Sequence, residues 1–353
     1  MEAAYKKLAE HLDNLPAGFP PTESGIELKV LKHIFSPEEA ETAVGLTMMP
    51  EKSEAIAERM GVDIEGFEEK LFDMSKKGQI FRYSRDGEHM YMAAMFVVGI
   101  WEYQLNRLNK DLIRDFNEYS ASFMKQAWQS SETKQLRVIP IEQSIPAEMN
   151  IMTYDKAREL IMQQSKIVLS DCICRKEHNM MDEGCDHPLD VCLAFGGGAY
   201  YYESNGLGKA ISQEEAIKVL ERGMDAGLVL QPGNSLKPFN ICMCCGCSCQ
   251  ILKNLKDLGN PGEIVVTNFY AEVEMEECTG CSQCEDRCHM DAIVMEDDIA
   301  EVQTERCIGC GVCVPSCEFD ALSMKKKPDD LIHSPPKNTV ETYMKIAQER
   351  GLI

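Results

Sequence analysis

The sequence predicts an α+β chain built from several modules, and three observations carry that expectation. At 353 residues it is long enough for two or three domains. Its first third shows helical periodicity that gives way to two short extended segments. Its last third repeats a cysteine block at a fixed interval, and a second, unrepeated group of cysteines lies between. The expected boundaries are residues 1–100, a helical connector at 101–165, a Cys-rich metal-binding segment at 166–260, the repeated block at 261–327, and a linker with a terminal helix at 328–353.

In the first segment, Ser36-Pro37-Glu38-Glu39 combines an N-cap serine, a proline at the first helical position and a glutamate at the third, a strong helix start. A second helix is expected from Ser53 to Gly61, and a third after Asp63, with Ile64, Phe67, Leu71 and Met74 at helical spacing. Gly78 ends it. Gln79 to Tyr83 and Met90 to Phe96 then read as strands around Ser84-Arg85-Asp86-Gly87. Three helices followed by a two-stranded wing resemble a winged helix, whose usual role is to read DNA with the third helix. Here that helix carries Asp63, Glu65, Glu68, Glu69 and Asp73 against Lys70, Lys76 and Lys77, which would set acid against phosphate. DNA binding is therefore disfavoured, and packing or docking is the expected role.

From Trp101 to about Ser130 the pattern is helical, with Tyr103, Leu105, Leu108, Leu112, Phe116 and Tyr119 as an apolar stripe that reads as core. Arg137 to Pro146 reads as an extended connector, Tyr154 to Gln164 as a helix, and Ile167-Val168-Leu169 as a short strand. That strand leads into nine cysteines: Cys172, Cys174, Cys185 and Cys192, then Cys242, Cys244, Cys245, Cys247 and Cys249. A capping box at Ser212 opens a helix between the two groups. The expectation is that Cys172 and Cys174 lie on a strand-like segment, facing one way, with the other cysteines in loops.

Buried structural cysteines would be scattered, and thiolates this close repel one another unless a metal holds them. These nine are therefore candidate metal ligands, for a further iron–sulfur cluster or for zinc. Cys244-Cys245-Gly246 is similar to the Cys-Cys-Gly core of heterodisulfide-reductase-type proteins, but the remaining spacings depart from that family and no ligand is carried over. His187 reads as a structural hydrogen-bonding residue. Arg175 reads either as a donor to cluster sulfur or as a solvent-facing ion pair. Gly196-Gly197-Gly198 lacks a dinucleotide or phosphate-loop context and is expected to form a tight loop on the metal site. No catalytic residue can be named from spacing.

After an expected strand at Ile264-Val265-Val266, the repeated block reads CTGCSQCEDRC and, beyond 18 residues, CIGCGVCVPSC. Each cysteine of the second run follows its counterpart by 29 residues, and Asp-Ala-Ile after the first run matches Asp-Ala-Leu after the second. Zinc sites use pairs rather than triplets with a fourth cysteine. The block resembles the bacterial two-cluster 2[4Fe-4S] ferredoxins. That resemblance implies two [4Fe-4S] clusters with crossed ligands: Cys278, Cys281, Cys284 and Cys317 on one, and Cys307, Cys310, Cys313 and Cys288 on the other. The family's proline after each fourth cysteine is replaced by His289 and Glu318.

The whole chain resembles multidomain ferredoxin-type iron–sulfur proteins of anaerobes, which implies electron transfer with a flavin or iron–sulfur oxidoreductase as redox partner. Two other classes stay open: a redox-sensing regulator acting through the winged helix, and a substrate-reducing oxidoreductase with its site at the middle cysteines. A net charge of −22 speaks against a nucleic-acid partner. Between residues 272 and 324, 14 acidic side chains face Arg287 and Arg306, a balance suited to a basic partner surface. No apolar run spans a membrane and the N-terminus has no signal-peptide core, so the expected location is the cytoplasm.

Overall fold

The computed structural model describes residues 2–85, 87–128 and 131–353. They form two compact units, neither continuous in sequence. One comprises Met1–Thr133, Gly197–Lys209 and Tyr343–Ile353; the other comprises Lys134–Gly196 and Ala210–Thr342. All 17 cysteines fall in the second.

The first unit is mainly helical. Ser36 accepts from the Glu39 N–H while the Glu39 carboxylate accepts from the Ser36 N–H, so the helix Pro37–Val44 starts as expected. The helix Ser53–Met60 ends at Gly61, as expected. The third helix starts later than its pattern suggested, at Phe67, because Gly66 in the left-handed region caps it; Ile64 is exposed, and Asp63 caps only a local turn at Glu65. Phe81–Arg85 pairs antiparallel with Glu88–Met92, and the turn residue Asp86 lies outside the described residues.

The expected long helix from Trp101 breaks. A single turn, Trp101–Tyr103, is followed by a gap, and Asn109 then caps a new helix, Lys110–Phe123. The break lets Trp101 stack on Phe116 at 3.5 Å between ring centres, in an aromatic core with Phe19, Phe96 and Tyr119. Ser130, the expected end, lies outside the described residues.

Gly196-Gly197-Gly198 is not a loop on the cysteines but the first turn of the helix Gly196–Ser204. That helix presents Tyr201, whose ring stacks on Phe81 and whose hydroxyl donates to the Ser75 carbonyl at 2.8 Å. At the C-terminus, Arg350 donates to the Leu15 carbonyl at 2.6 Å and pairs with Asp13, which docks the end of the chain on this unit.

The second unit holds a sheet in the order Gly208–Ile211, Ile167–Ser170, Cys192–Phe195, Asn240–Cys244, Val229–Pro232, with Ala210 and Ile211 of the edge strand belonging to this unit. Strand alternation gives it two different faces. Ile167, Leu169, Leu193, Phe195, Ile241, Met243 and Leu230 enter one aliphatic core with Ala157, Leu160, Ala216 and Leu220, contributed by the helices Ala157–Met162 and Gln213–Asp225. The first of these helices is shorter than the expected Tyr154–Gln164. Ile264 closes a helical turn, Pro261–Ile264, and not a strand.

Beyond it, Phe269–Val273 pairs with Leu322–Lys326, and Ile293–Glu296 forms a hairpin with Ile299–Val302, enclosing a second core. Among the described residues no helix is long and apolar enough to cross a membrane.

Candidate metal centres

Every cysteine is a free thiol, and the seventeen fall into three arrangements. The repeated block supplies the first. One cavity, with about 350 Å³ of empty space, is lined by Cys278, Cys281, Cys284 and Cys317. A second, with about 390 Å³, is lined by Cys288, Cys307, Cys310 and Cys313. Each cavity thus takes three thiols from one run and the last thiol of the other.

The 29-residue repeat becomes a geometric one. The Ala271 N–H donates to Cys307 Sγ and the Ala300 N–H to Cys278 Sγ, each at 3.4 Å. Gly280 and Gly309 both have positive φ, and a Cβ there would lie 2.4 Å from the Asp298 carbonyl oxygen and 2.2 Å from that of Phe269. All four pairs of positions, Ala271 and Ala300, Cys278 and Cys307, Gly280 and Gly309, and Phe269 and Asp298, are related by the repeat. Only glycine lets the loop carrying the thiols pass so close to the opposite strand. Burial is the largest cause raising the thiol pKa of Cys284, Cys307, Cys310 and Cys313. A buried pocket lined by four thiols and supplied with backbone N–H donors to sulfur suits a four-iron cube.

The second arrangement lies on the sheet face opposite the aliphatic core. In Asn240–Cys244, Ile241 and Met243 point into that core, so Cys242 and Cys244 point away from it. Cys192 opens its strand opposite Ser170, and Cys172 follows the end of the next strand, Ile167–Ser170. Because neighbouring strands run antiparallel, these three termini meet at one edge. Two expectations change here. Cys172 caps the helix Ile173–Met180 and Cys174 lies in its first turn, so neither sits on a strand. Cys192, Cys242 and Cys244 are strand residues and not loop residues.

The thiols touch in series. Cys172 reaches Cys174, Cys174 reaches Cys249, Cys249 reaches Cys244, Cys244 reaches Cys242, and Cys242 reaches Cys192. Contact with the neighbouring thiol, ahead of burial, pushes Cys172, Cys242 and Cys244 well above the ordinary range. Asn240 Nδ2 donates to Cys242 Sγ at 3.1 Å and Gln231 Nε2 approaches Cys249 Sγ at 4.0 Å.

Arg175 is 2% exposed, which removes the solvent-facing ion pair. Its Nη2 donates to the Met243 carbonyl at 2.8 Å and its Nη1 to Cys245 Sγ at 3.5 Å, while Nε has no partner. Burial opposes the guanidinium charge, but Cys172, Cys245 and Cys244 outweigh it and raise its pKa. A buried cation with an unused donor among thiols fits a centre that is anionic when loaded.

The third arrangement is a triad. The sulfurs of Cys185, Cys245 and Cys247 lie within 4.8 Å of one another. Although burial works against it, the Cys185 thiol is held below its ordinary pKa by Ser248 Oγ, the His187 backbone N–H and the two neighbouring thiols. Burial, with Cys245 and Cys185 beside it, pushes Cys247 up to about 12. His187 reaches this group through that backbone donor, and its ring faces His289 at 6.1 Å.

His289 joins the repeated block to the middle cysteines. Its Nδ1 accepts the Gly246 N–H at 3.2 Å, which leaves Nε2 protonated to donate to the Gly227 carbonyl at 2.7 Å. Burial holds this imidazole below its ordinary pKa, consistent with the neutral tautomer. A Cβ on Gly246 would lie 2.8 Å from the His289 carbonyl oxygen. The sequence had marked His289 only as a missing proline. Its partner lies 43 residues away in sequence, and no local pattern encodes that pairing.

No curated protein matches the chain, and no solved structure matches it. A family model described as a 4Fe-4S dicluster domain matches residues 277–321, the stretch that holds both cysteine runs and lines both cavities, so the C-terminal part of this chain is a ferredoxin-like iron–sulfur domain.

Proposed function

We propose that the protein carries electrons between a redox partner and a centre at the middle cysteines, by way of two [4Fe-4S] clusters. Cys278, Cys281, Cys284 and Cys317 hold one cluster, and Cys307, Cys310, Cys313 and Cys288 the other. Bound there, the clusters supply one-electron chemistry; the protein's part is to hold, insulate and connect them. The six-thiol group of Cys172, Cys174, Cys192, Cys242, Cys244 and Cys249 holds a further iron–sulfur centre, with Arg175 offsetting its charge.

The observation that carries this reading is the His289 bridge. Cys288 is covalently followed by an imidazole that accepts from Gly246, and Gly246 follows Cys244-Cys245 in the chain. This gives a short, rigid path of covalent and hydrogen bonds between the two cysteine fields. On the other side, Cys281 is exposed beside exposed Glu276, Glu277, Glu285 and Asp286. Exposed acidic residues flanking an exposed thiol of the ferredoxin-like domain favour a partner with a basic docking patch, such as a flavin or iron–sulfur oxidoreductase in the cytoplasm.

The winged-helix-like elements serve this function as a docking module. Glu68, Glu69 and Asp73 are exposed on the helix Phe67–Lys76, a face that repels a phosphate backbone.

Anaerobic purification with iron, sulfide and paramagnetic-resonance analysis tests the reading. At least about eight irons per chain are expected from the ferredoxin clusters alone, with more at the middle group. Less than about four irons after reconstitution would overturn it.

A further inference from the structure

We propose that Cys185, Cys245 and Cys247 form a site of their own, separate from the six-thiol group, for a single zinc-class ion whose fourth coordination position is open to an exchangeable ligand. This rests on the reading that the middle cysteines bind metal, and divides that field in two.

The spacing separates a single ion from a cube. With zinc–sulfur bonds of about 2.3 Å and tetrahedral angles, two thiolates on one ion sit about 3.8 Å apart. Cys185 and Cys245 are 3.9 Å apart, and all three sulfurs lie within 4.8 Å. Among the described residues no other three cysteines meet that spacing. Among the described residues no three ferredoxin thiols lie that close together; they line two cavities, four thiols to each.

The surroundings are built for thiolates. Ser248, fully buried, places its hydroxyl 3.4 Å from Cys185 Sγ and 3.9 Å from Cys247 Sγ. The His187 backbone N–H also reaches Cys185. The turn between Cys245 and Cys247 is fixed at its middle by the bond from Gly246 to His289. Three thiolates and one divalent ion leave a single negative charge, and the Arg175 guanidinium, which also faces Cys172 and Cys244 of the six-thiol group, lies 3.5 Å from Cys245.

No fourth histidine, cysteine or carboxylate joins the triad among the described residues, and Cys247 is exposed. Three protein ligands with solvent access is the pattern of zinc sites that bind and polarise a ligand, whereas closed structural sites use four. Water or a small anion fits that position.

The test is metal analysis with zinc-edge X-ray absorption on full-length protein prepared anaerobically from zinc-supplemented medium, for the parent, Cys247→Ser and Cys242→Ser. The parent is expected to hold about one zinc with about three sulfur ligands. Cys247→Ser should lose the zinc and keep the parent's iron and reduced-state resonance signals. Cys242→Ser should lose iron and keep the zinc. A parent without zinc, or a Cys247→Ser variant that loses iron instead of zinc, overturns the proposal. If Cys242→Ser keeps all its iron while Cys247→Ser still loses zinc, the iron–sulfur reading of the six-thiol group fails and the triad site stands. Because Cys247 is exposed, its serine variant should fold, and circular dichroism checks that it does.

Discussion

The thiols of the repeated block stand apart around two cavities, whereas those of the middle field lie against one another. What raises their pKa differs accordingly: burial leads for Cys284, Cys307, Cys310 and Cys313, and the adjacent thiol leads for Cys172, Cys242 and Cys244. The first region has shaped space for a cofactor and lines it with sulfur. The second has gathered sulfur at one end of a sheet, on both of its faces, and set a cation among it. The ferredoxin-like domain is therefore preorganised by its backbone, and the middle field by its electrostatics.

The largest effect that would break this contrast is expected from Arg175→Leu. Removing this buried guanidinium should cost about 3–5 kcal/mol in the loaded protein. It should also empty the six-thiol group while leaving the ferredoxin signals intact. Denaturant unfolding with iron analysis reads both. Retention of all the iron at parental stability would mean that the middle field does not depend on its cation.

Next come Gly280→Ala and Gly309→Ala. Either forces an alanine into the left-handed region against a carbonyl oxygen at 2.4 or 2.2 Å, and should destabilise by at least about 1–3 kcal/mol. The repeat predicts that the two cost about the same, each disturbing one cluster signal. A large cost at one and none at the other would show that the halves are not equivalent.

A smaller effect is expected at Gly246→Ala, which must displace His289. Iron content should stay at the parental level while electron exchange between the two fields slows, read by rapid-freeze resonance after partial reduction. Unchanged exchange would dismiss the bridge as a path.

The smallest effect belongs to the cysteine-free unit and serves as a control. Glu102 is raised to about 7 by burial, against a weaker opposing hydrogen bond from the Gly99 N–H. A carboxyl with a raised pKa in the folded state adds stability that is complete below its unfolded value and is lost as pH rises through about 7. This unit should unfold more readily at pH 8 than at pH 5 by calorimetry, and Glu102→Gln should remove the difference.

What could be read in advance follows from how locally each feature is encoded. The cysteine runs carry their own spacing, so a ferredoxin-like block was legible, as were the capping boxes at Ser36 and Ser212, while the crossing of each run's last thiol was implied by the resemblance. The alternation Asn240-Ile241-Cys242-Met243-Cys244 was a usable strand signal, but the density of cysteines made it look like a loop. The helical break before Asn109 and the glycine-led helix at Gly196 depend on aromatic packing against distant residues, which periodicity does not register. The division of nine cysteines into six and three needed the sheet, because Cys245 and Cys244 are neighbours in sequence yet face opposite ways.

The matched Ala271 and Ala300 donors give each proposed cluster one equivalent backbone contact, while Cys288 accepts a further N–H, from Ala292 at 3.2 Å. Two relays alike in every surrounding would have no built-in polarity. Direction must then come from what the duplication did not copy. Where one half places His289 against the middle field, the other places the exposed Glu318, and the proposed path takes its direction from that difference.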